Sequence, residues 1–165
     1  MAVPPADALV VGVGNTLMGD DGIGVEVARR LAGRRDIPVK VVEAGTGGFG
    51  LINIIGDSRC VIFIDAVDAG ATPGQTFWVR DHQIVDRPRR HSLHEVGLDD
   101  VVALLALKKP TPAIRIIGVQ PAVVGPQLGL SRLLASRLGF ITKEAADMIN
   151  ETVFRQAPRK ADGDR

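Results

Sequence analysis

Apolar residues recur along this chain in two rhythms. Residues 8–12 (ALVVG) and 60–65 (CVIFID) are short, almost continuous apolar runs, the pattern of strands buried on both faces. Residues 39–43 and 113–119 also read as strands, and 76–80, where polar and apolar positions alternate, reads as a strand suited to an edge. Elsewhere a period near 3.6 takes over. Ile23, Val27 and Leu31 stand four apart within 23–32, with Arg29 and Arg30 turned outward. Leu98, Val101, Val102 and Leu105 form the stripe of a helix over 96–107. A short helix is expected over 51–56, and helix again from Ser131 and, separately, from Thr142 to Arg155. The polar, proline-containing stretch 80–94 and the glycine- and proline-marked stretch 121–129 read as loops. Strands alternating with helices predict a single α/β domain over residues 1–156, with a mainly parallel twisted sheet and helices on both faces. Residues 157–165 offer nothing to bury and are expected to form a disordered tail.

Composition narrows the class. With 45% apolar residues in 165, the chain can bury a real core. Twenty basic against nineteen acidic residues, mixed along the chain, leave no electrostatic footprint for nucleic acid, and five Phe and one Trp make no stacking platform. The single cysteine, Cys60, excludes an internal disulfide, fits a reducing compartment and reads as a packed core thiol. The first residues have no cationic stretch and carry prolines and an acid, unlike a signal peptide. No uncharged apolar run reaches the roughly 18 residues of a membrane span. The expectation is a soluble, cytoplasmic protein without nucleic-acid or membrane partners.

In parallel sheets, ligands gather beyond the carboxyl ends of the strands. Three polar clusters are expected on that rim. The first is Gly12-Val-Gly14-Asn15-Thr-Leu-Met-Gly19-Asp20-Asp21-Gly22-Ile-Gly24. A dinucleotide fingerprint would need glycine at position 17, which is Leu17, and no Gly-Lys-Ser/Thr follows for a phosphate loop. Asp20 and Asp21 have a plainer reading as helix caps, but one acid suffices for a cap. The second cluster is Asp65, a carboxylate ending an apolar strand, either a ligand or the acid of a turn with Asp68 and Gly70. The third is His91-Ser92-Leu93-His94-Glu95, which lacks the second histidine of a zincin helix because position 98 is Leu98. His94 by itself suits a surface or capping role. Together Asp21, Asp65 and His94 offer a mixed oxygen and nitrogen donor set that suits a divalent transition metal. Two aspartates would also suit an acid-protease pair, but the chain shows no internal repeat to build one symmetrically.

At these residues the chain resembles the endopeptidases that mature the large subunit of nickel–iron hydrogenases. The resemblance rests on Gly12-Val-Gly-Asn15 with Gly19-Asp-Asp-Gly22-Ile-Gly24, on Ile64-Asp65-Ala66-Val67, and on His94-Glu-Val-Gly97-Leu98-Asp-Asp100. Gly118-Val119-Gln120-Pro121 and Gly129-Leu130-Ser131 follow in the family's order, so it runs from about Leu9 to the last helix. It implies catalytic and metal-ligating roles for Asp21, Asp65 and His94, with Asp21 standing where the family has Glu or Asp. It further implies a substrate-binding loop at Glu43-Ala44-Gly45-Thr46-Gly47, where the family's Asp-Gly pair is replaced by Glu43 and Ala44. The implied reaction removes a C-terminal extension from a hydrogenase large-subunit precursor after nickel insertion. The implied metal is nickel, the substrate's own. Two roles for it stay open, a Lewis acid belonging to the enzyme or a nickel read on the precursor, and the family picture favours the second. Two other functions compete: a metal-dependent chaperone of hydrogenase assembly that does not cleave, and an unrelated small-molecule α/β hydrolase.

Overall fold

The computed structural model of the protein describes residues 7–79 and 97–154. The expected loop over 80–94, with His94 itself, and the expected tail lie outside these residues. Five strands form one sheet: β1 (Ala8–Val13), β2 (Lys40–Gly45), β3 (Cys60–Ala66), β4 (Thr76–Trp78) and β5 (Ala113–Val119). Their order is β2-β1-β3-β5-β4. All neighbours run parallel except the short edge strand β4, which pairs antiparallel with β5. The helices are α1 (Ile23–Leu31), α2 (Gly50–Ile55), α3 (Leu98–Ala106) and α4 (Arg132–Phe154). The mainly parallel α/β architecture is therefore as expected.

Why the central strands read as unbroken apolar runs is visible in the packing. Ala8 and Val10 of β1, with Ile62 and Ile64 of β3, face α1 and α4 through Val27, Leu31, Leu134, Leu138 and Ile141. The alternate residues Leu9, Val11, Val61 and Phe63 face α2 and α3 through Leu51, Ile55, Val101 and Leu105. The period of two is present, but both faces are dry, so hydropathy does not alternate. The stripes expected for the helix over 23–32 and for that over 96–107 are the ones that pack, with Ile23, Val27, Leu31, Val101 and Leu105 buried. Past α3, the Lys108 ammonium donates to the carbonyl of Gly56, which ends α2.

One expectation is corrected. The two helices expected from Ser131 and from Thr142 are a single helix of 23 residues. Gly139 lowers helix propensity by about 1 kcal/mol, which invites a break there. Leu134, Leu138, Ile141, Ala145, Ile149 and Val153 nevertheless form one continuous buried stripe across it, and that burial outweighs the local preference. The buried hydroxyls of Thr142 and Thr152 are satisfied inside the helix by the carbonyls of Leu138 and Met148. No described helix is long and apolar enough to cross a membrane.

Helix α1 seats almost directly on the sheet. A Cβ placed at Gly24 would lie 2.1 Å from the carbonyl oxygen of Ile64 and 2.4 Å from that of Val13. One placed at Gly12 would lie 2.3 Å from the carbonyl oxygen of Gly24. These glycines serve helix–strand contact. Gly24→Ala must push backbone against backbone, so it is expected to cost at least about 2 kcal/mol, read as a lower urea midpoint at unchanged slope.

Cys60 is buried at the start of β3, as expected of a core thiol. Loss of solvent pushes its pKa up, and the charge of Arg115 opposes this only in part. The native protein is therefore expected to leave an aromatic disulfide reagent unreacted at pH 8 and to release one thiol equivalent on unfolding.

Candidate active site

Strand β1 leads left to β2 and the chain then crosses to β3 on the other side of β1. The carboxyl ends of β1 and β3 are thus the point where the chain's winding reverses, the place where open α/β sheets form their crevice. Two of the expected acids belong to these two ends. Asp65 is the penultimate residue of β3, half-buried, and in register with Gly118 of β5. It follows Phe63 and Val61 by alternation and so projects on the α2 and α3 side of the sheet.

Asp21 is carried by the turn between β1 and α1. This turn folds back on itself at Gly14, whose φ is 139° and where a Cβ would lie 1.9 Å from the carbonyl oxygen of Asp21. The Asp21 carboxylate accepts the backbone N–H of Asn15 at 3.1 Å, and the Asn15 side chain accepts that of Leu17 at 2.9 Å. Asp21 remains partly exposed.

The segment after β2 reaches the same edge. Gly45 accepts the backbone N–H of Gly14 at 2.9 Å, which joins the loops that follow β1 and β2. Thr46 and Gly47 are exposed beyond it. Glu43 lies elsewhere: in β2 it alternates with Val42 and stands on the α1 side, where Arg29 donates to its carboxylate at 2.9 and 3.1 Å. Arg29 also pairs with Glu26 at 2.7 Å, and the two acids, Glu43 foremost, hold its guanidinium above its usual range. The structure therefore brings Gly45 to the rim beside the Asp21 turn and sets Glu43 on the opposite face of the sheet from Asp65.

Asp20 differs from the helix cap that its position suggests. It is wholly buried, and the residue capping the short 3-10 turn Asp20–Gly22 is Gly19, with no side-chain bond. The Asp20 carboxylate instead accepts three backbone N–H groups from a loop more than a hundred residues away. These are Ala122 at 2.9 Å, Val123 at 2.8 Å and Ser131 at 2.7 Å. Three backbone donors on two carboxylate oxygens satisfy the hydrogen-bonding needs of this buried side chain.

Gln120 does similar work for the loop after β3. Its side-chain oxygen accepts from Ala69 and Ala71 at 2.9 and 3.1 Å, while its amide nitrogen donates to Asp68 at 3.0 Å. Its backbone bonds Gly74 and Gln75 as well. The Gln120 amide, helped by the N–H of Gly70, holds the Asp68 carboxyl below the ordinary carboxylate range. Neither role was apparent in the sequence, where Asp20 reads as a cap and Gln120 as part of a motif, because both sets of partners are distant along the chain.

Among the described residues, no three His, Cys, Asp or Glu side chains form a group able to hold a metal ion. Asp21 and Asp65 would supply two carboxylate oxygens at one crevice, and His94, the third expected donor, lies outside the described residues.

Comparison with known proteins bears on this arrangement. Residues 25–148 match the family model of the hydrogenase maturation proteases. A hydrogenase expression/formation protein of Rhodobacter capsulatus is 33% identical over 150 residues, covering 87% of this chain and 71% of that protein. The hydrogenase 2 maturation protease of Escherichia coli is 29% identical over 158 residues, covering 93% of this chain and 96% of that one. The solved structure of a hydrogenase maturating endopeptidase from E. coli superposes with a TM-score of 0.71 at 26% identity, covering 88% and 93% of the two chains.

Asp20→Ala would strand three buried N–H groups, each costing about 1–3 kcal/mol. Chemical denaturation should show a loss of at least about 3 kcal/mol, with hydrogen exchange accelerated at Ala122, Val123 and Ser131 before the central strands.

Proposed function

Because this chain belongs to the hydrogenase maturation protease family, we propose that it is the endopeptidase that removes a C-terminal peptide from a nickel-loaded hydrogenase large-subunit precursor. The observation that carries this reading is the pair of partly exposed carboxylates, Asp21 and Asp65, at the reversal point between β1 and β3. His94, four residues ahead of α3, completes a donor set of two carboxylates and one imidazole that suits a divalent transition metal. In this proposal the nickel arrives with the precursor. Asp21, Asp65 and His94 engage it there, so that only loaded precursor is held with its scissile bond at the crevice. Gly45, Thr46 and Gly47 line the approach, while Glu43 stands on the other face of the sheet beside Arg29.

The chemistry that remains is hydrolysis of one peptide bond. It needs a base to take a proton from water and a donor to protonate the departing amine. The carboxylates of Asp21 and Asp65, with the imidazole that this proposal assigns to His94, would supply both kinds of group. Cys60, buried at the far end of β3, is no nucleophile for it.

Mass analysis of the large subunit after incubation with the purified protein tests this. Loaded precursor should shorten, and nickel-free precursor should remain intact. Asp21→Asn, Asp65→Asn and His94→Ala should each slow cleavage by at least about 100-fold with little change in melting. Cleavage of nickel-free precursor by metal-stripped protein would refute the reading of nickel. Tight binding of loaded precursor without any shortening would favour an assembly chaperone.

A further inference from the structure

The loop that Asp20 holds is apolar on its outside. Val123 is 46% exposed, Val124 43% and Leu128 84%, and Leu17, on the turn bonded to it, is 63% exposed. The two segments are laced together along their backbones. Gly19 donates to Gln127 at 2.9 Å, Gln127 to Leu17 at 3.0 Å, Gly129 to Thr16 at 3.0 Å, and Asp20 to Val123 at 2.8 Å. Short bridges pair Met18 with Gln127 and Gly19 with Val124. The outcome is an ordered ridge of apolar side chains, anchored from beneath by a buried carboxylate.

Two features set this ridge apart from scattered surface apolar residues, which are ordinary. No ionisable side chain occurs anywhere in residues 12–19 or 121–131, so nothing on the ridge favours a charged partner. The ridge also adjoins the candidate acid Asp21, since Leu17 and Asp21 are both bonded to Asn15 in one turn. A surface already immobilised loses little conformational freedom when it binds.

We propose that this ridge is a docking surface for an uncharged, apolar stretch of the precursor polypeptide flanking the bond to be cut. It sets which precursor is accepted, apart from any reading of nickel. The proposal rests on the peptidase reading above, and it adds a contact that depends on apolar side chains rather than on the acids.

The test compares Leu17→Glu, Leu128→Glu and the milder Leu128→Ser with wild type on purified nickel-loaded precursor. Leu107→Glu, on an equally exposed leucine beyond the end of α3, serves as control. Each glutamate on the ridge should raise KM about tenfold, leave kcat at saturating precursor within about twofold, and leave melting unchanged. Leu128→Ser should fall between, and Leu107→Glu should match wild type. A KM unchanged in both Leu17→Glu and Leu128→Glu overturns the proposal. So does a dimer in sedimentation that either ridge variant dissociates, since the ridge would then be covered by a second copy. Should wild type bind precursor without cutting it, the peptidase reading fails, and binding of immobilised precursor decides the ridge: tenfold weaker binding by Leu128→Glu upholds it, equal binding overturns it.

Discussion

Position 24 has no room for a side chain, because the first turn of α1 rests on the carbonyls that end β1 and β3. That contact governs much of what surrounds it. The chain leaves β1 at Val13, reverses at Gly14 and returns to the strand ends at α1, which begins at Ile23, so the turn that carries Asp21 stays close to them. The same contact holds α1 near enough to the sheet for Val27 and Leu31 to interleave with Val10, Ile62 and Ile64. The glycine-rich signature after β1 thus has a packing explanation, distinct from the phosphate cradle such signatures often form.

Around this seat, two polar side chains organise the rim. Asp20 ties the turn after β1 to the loop after β5, and Gln120 ties the end of β5 to the loop after β3. Each satisfies backbone N–H groups that no strand or helix could reach, which lets irregular segments pack at the sheet edge without stranded donors. Rigid loops on a rigid sheet are the setting in which a few side chains can be held at catalytic precision. The rim therefore carries the half-buried Asp65 and the partly exposed Asp21, with exposed apolar side chains at Leu17, Val123, Val124 and Leu128 beside the Asp21 turn. These are complementary needs for an enzyme that must handle a protein substrate and hydrolyse one of its bonds.

The candidate site itself was partly legible in the sequence. Asp21 and Asp65 read as rim residues because one lies in the turn that follows an apolar strand and the other ends an apolar run, and parallel strands put their carboxyl ends together. The strand order that makes this rim a reversal point was not legible, since it depends on which side of β1 each crossover takes. Glu43 shows the same limit: its place in the chain suggested a substrate loop, while strand alternation sets it on the α1 face beside Arg29.

What the sequence determined by itself is whatever depends on near neighbours. Continuous apolar runs specified strands buried on both faces, and four-residue spacings specified the packed stripes of α1 and α3, because side-chain direction repeats locally with the backbone. Tertiary structure decided the rest. Gly139 lies inside one helix because a stripe of burial on both sides of it outweighs its own preference. Asp20 is a clamp between loops because its three donors are more than a hundred residues away. No local pattern encodes a partner at that distance, since the two segments follow β1 and β5, which the sheet brings to one edge only through β3 between them.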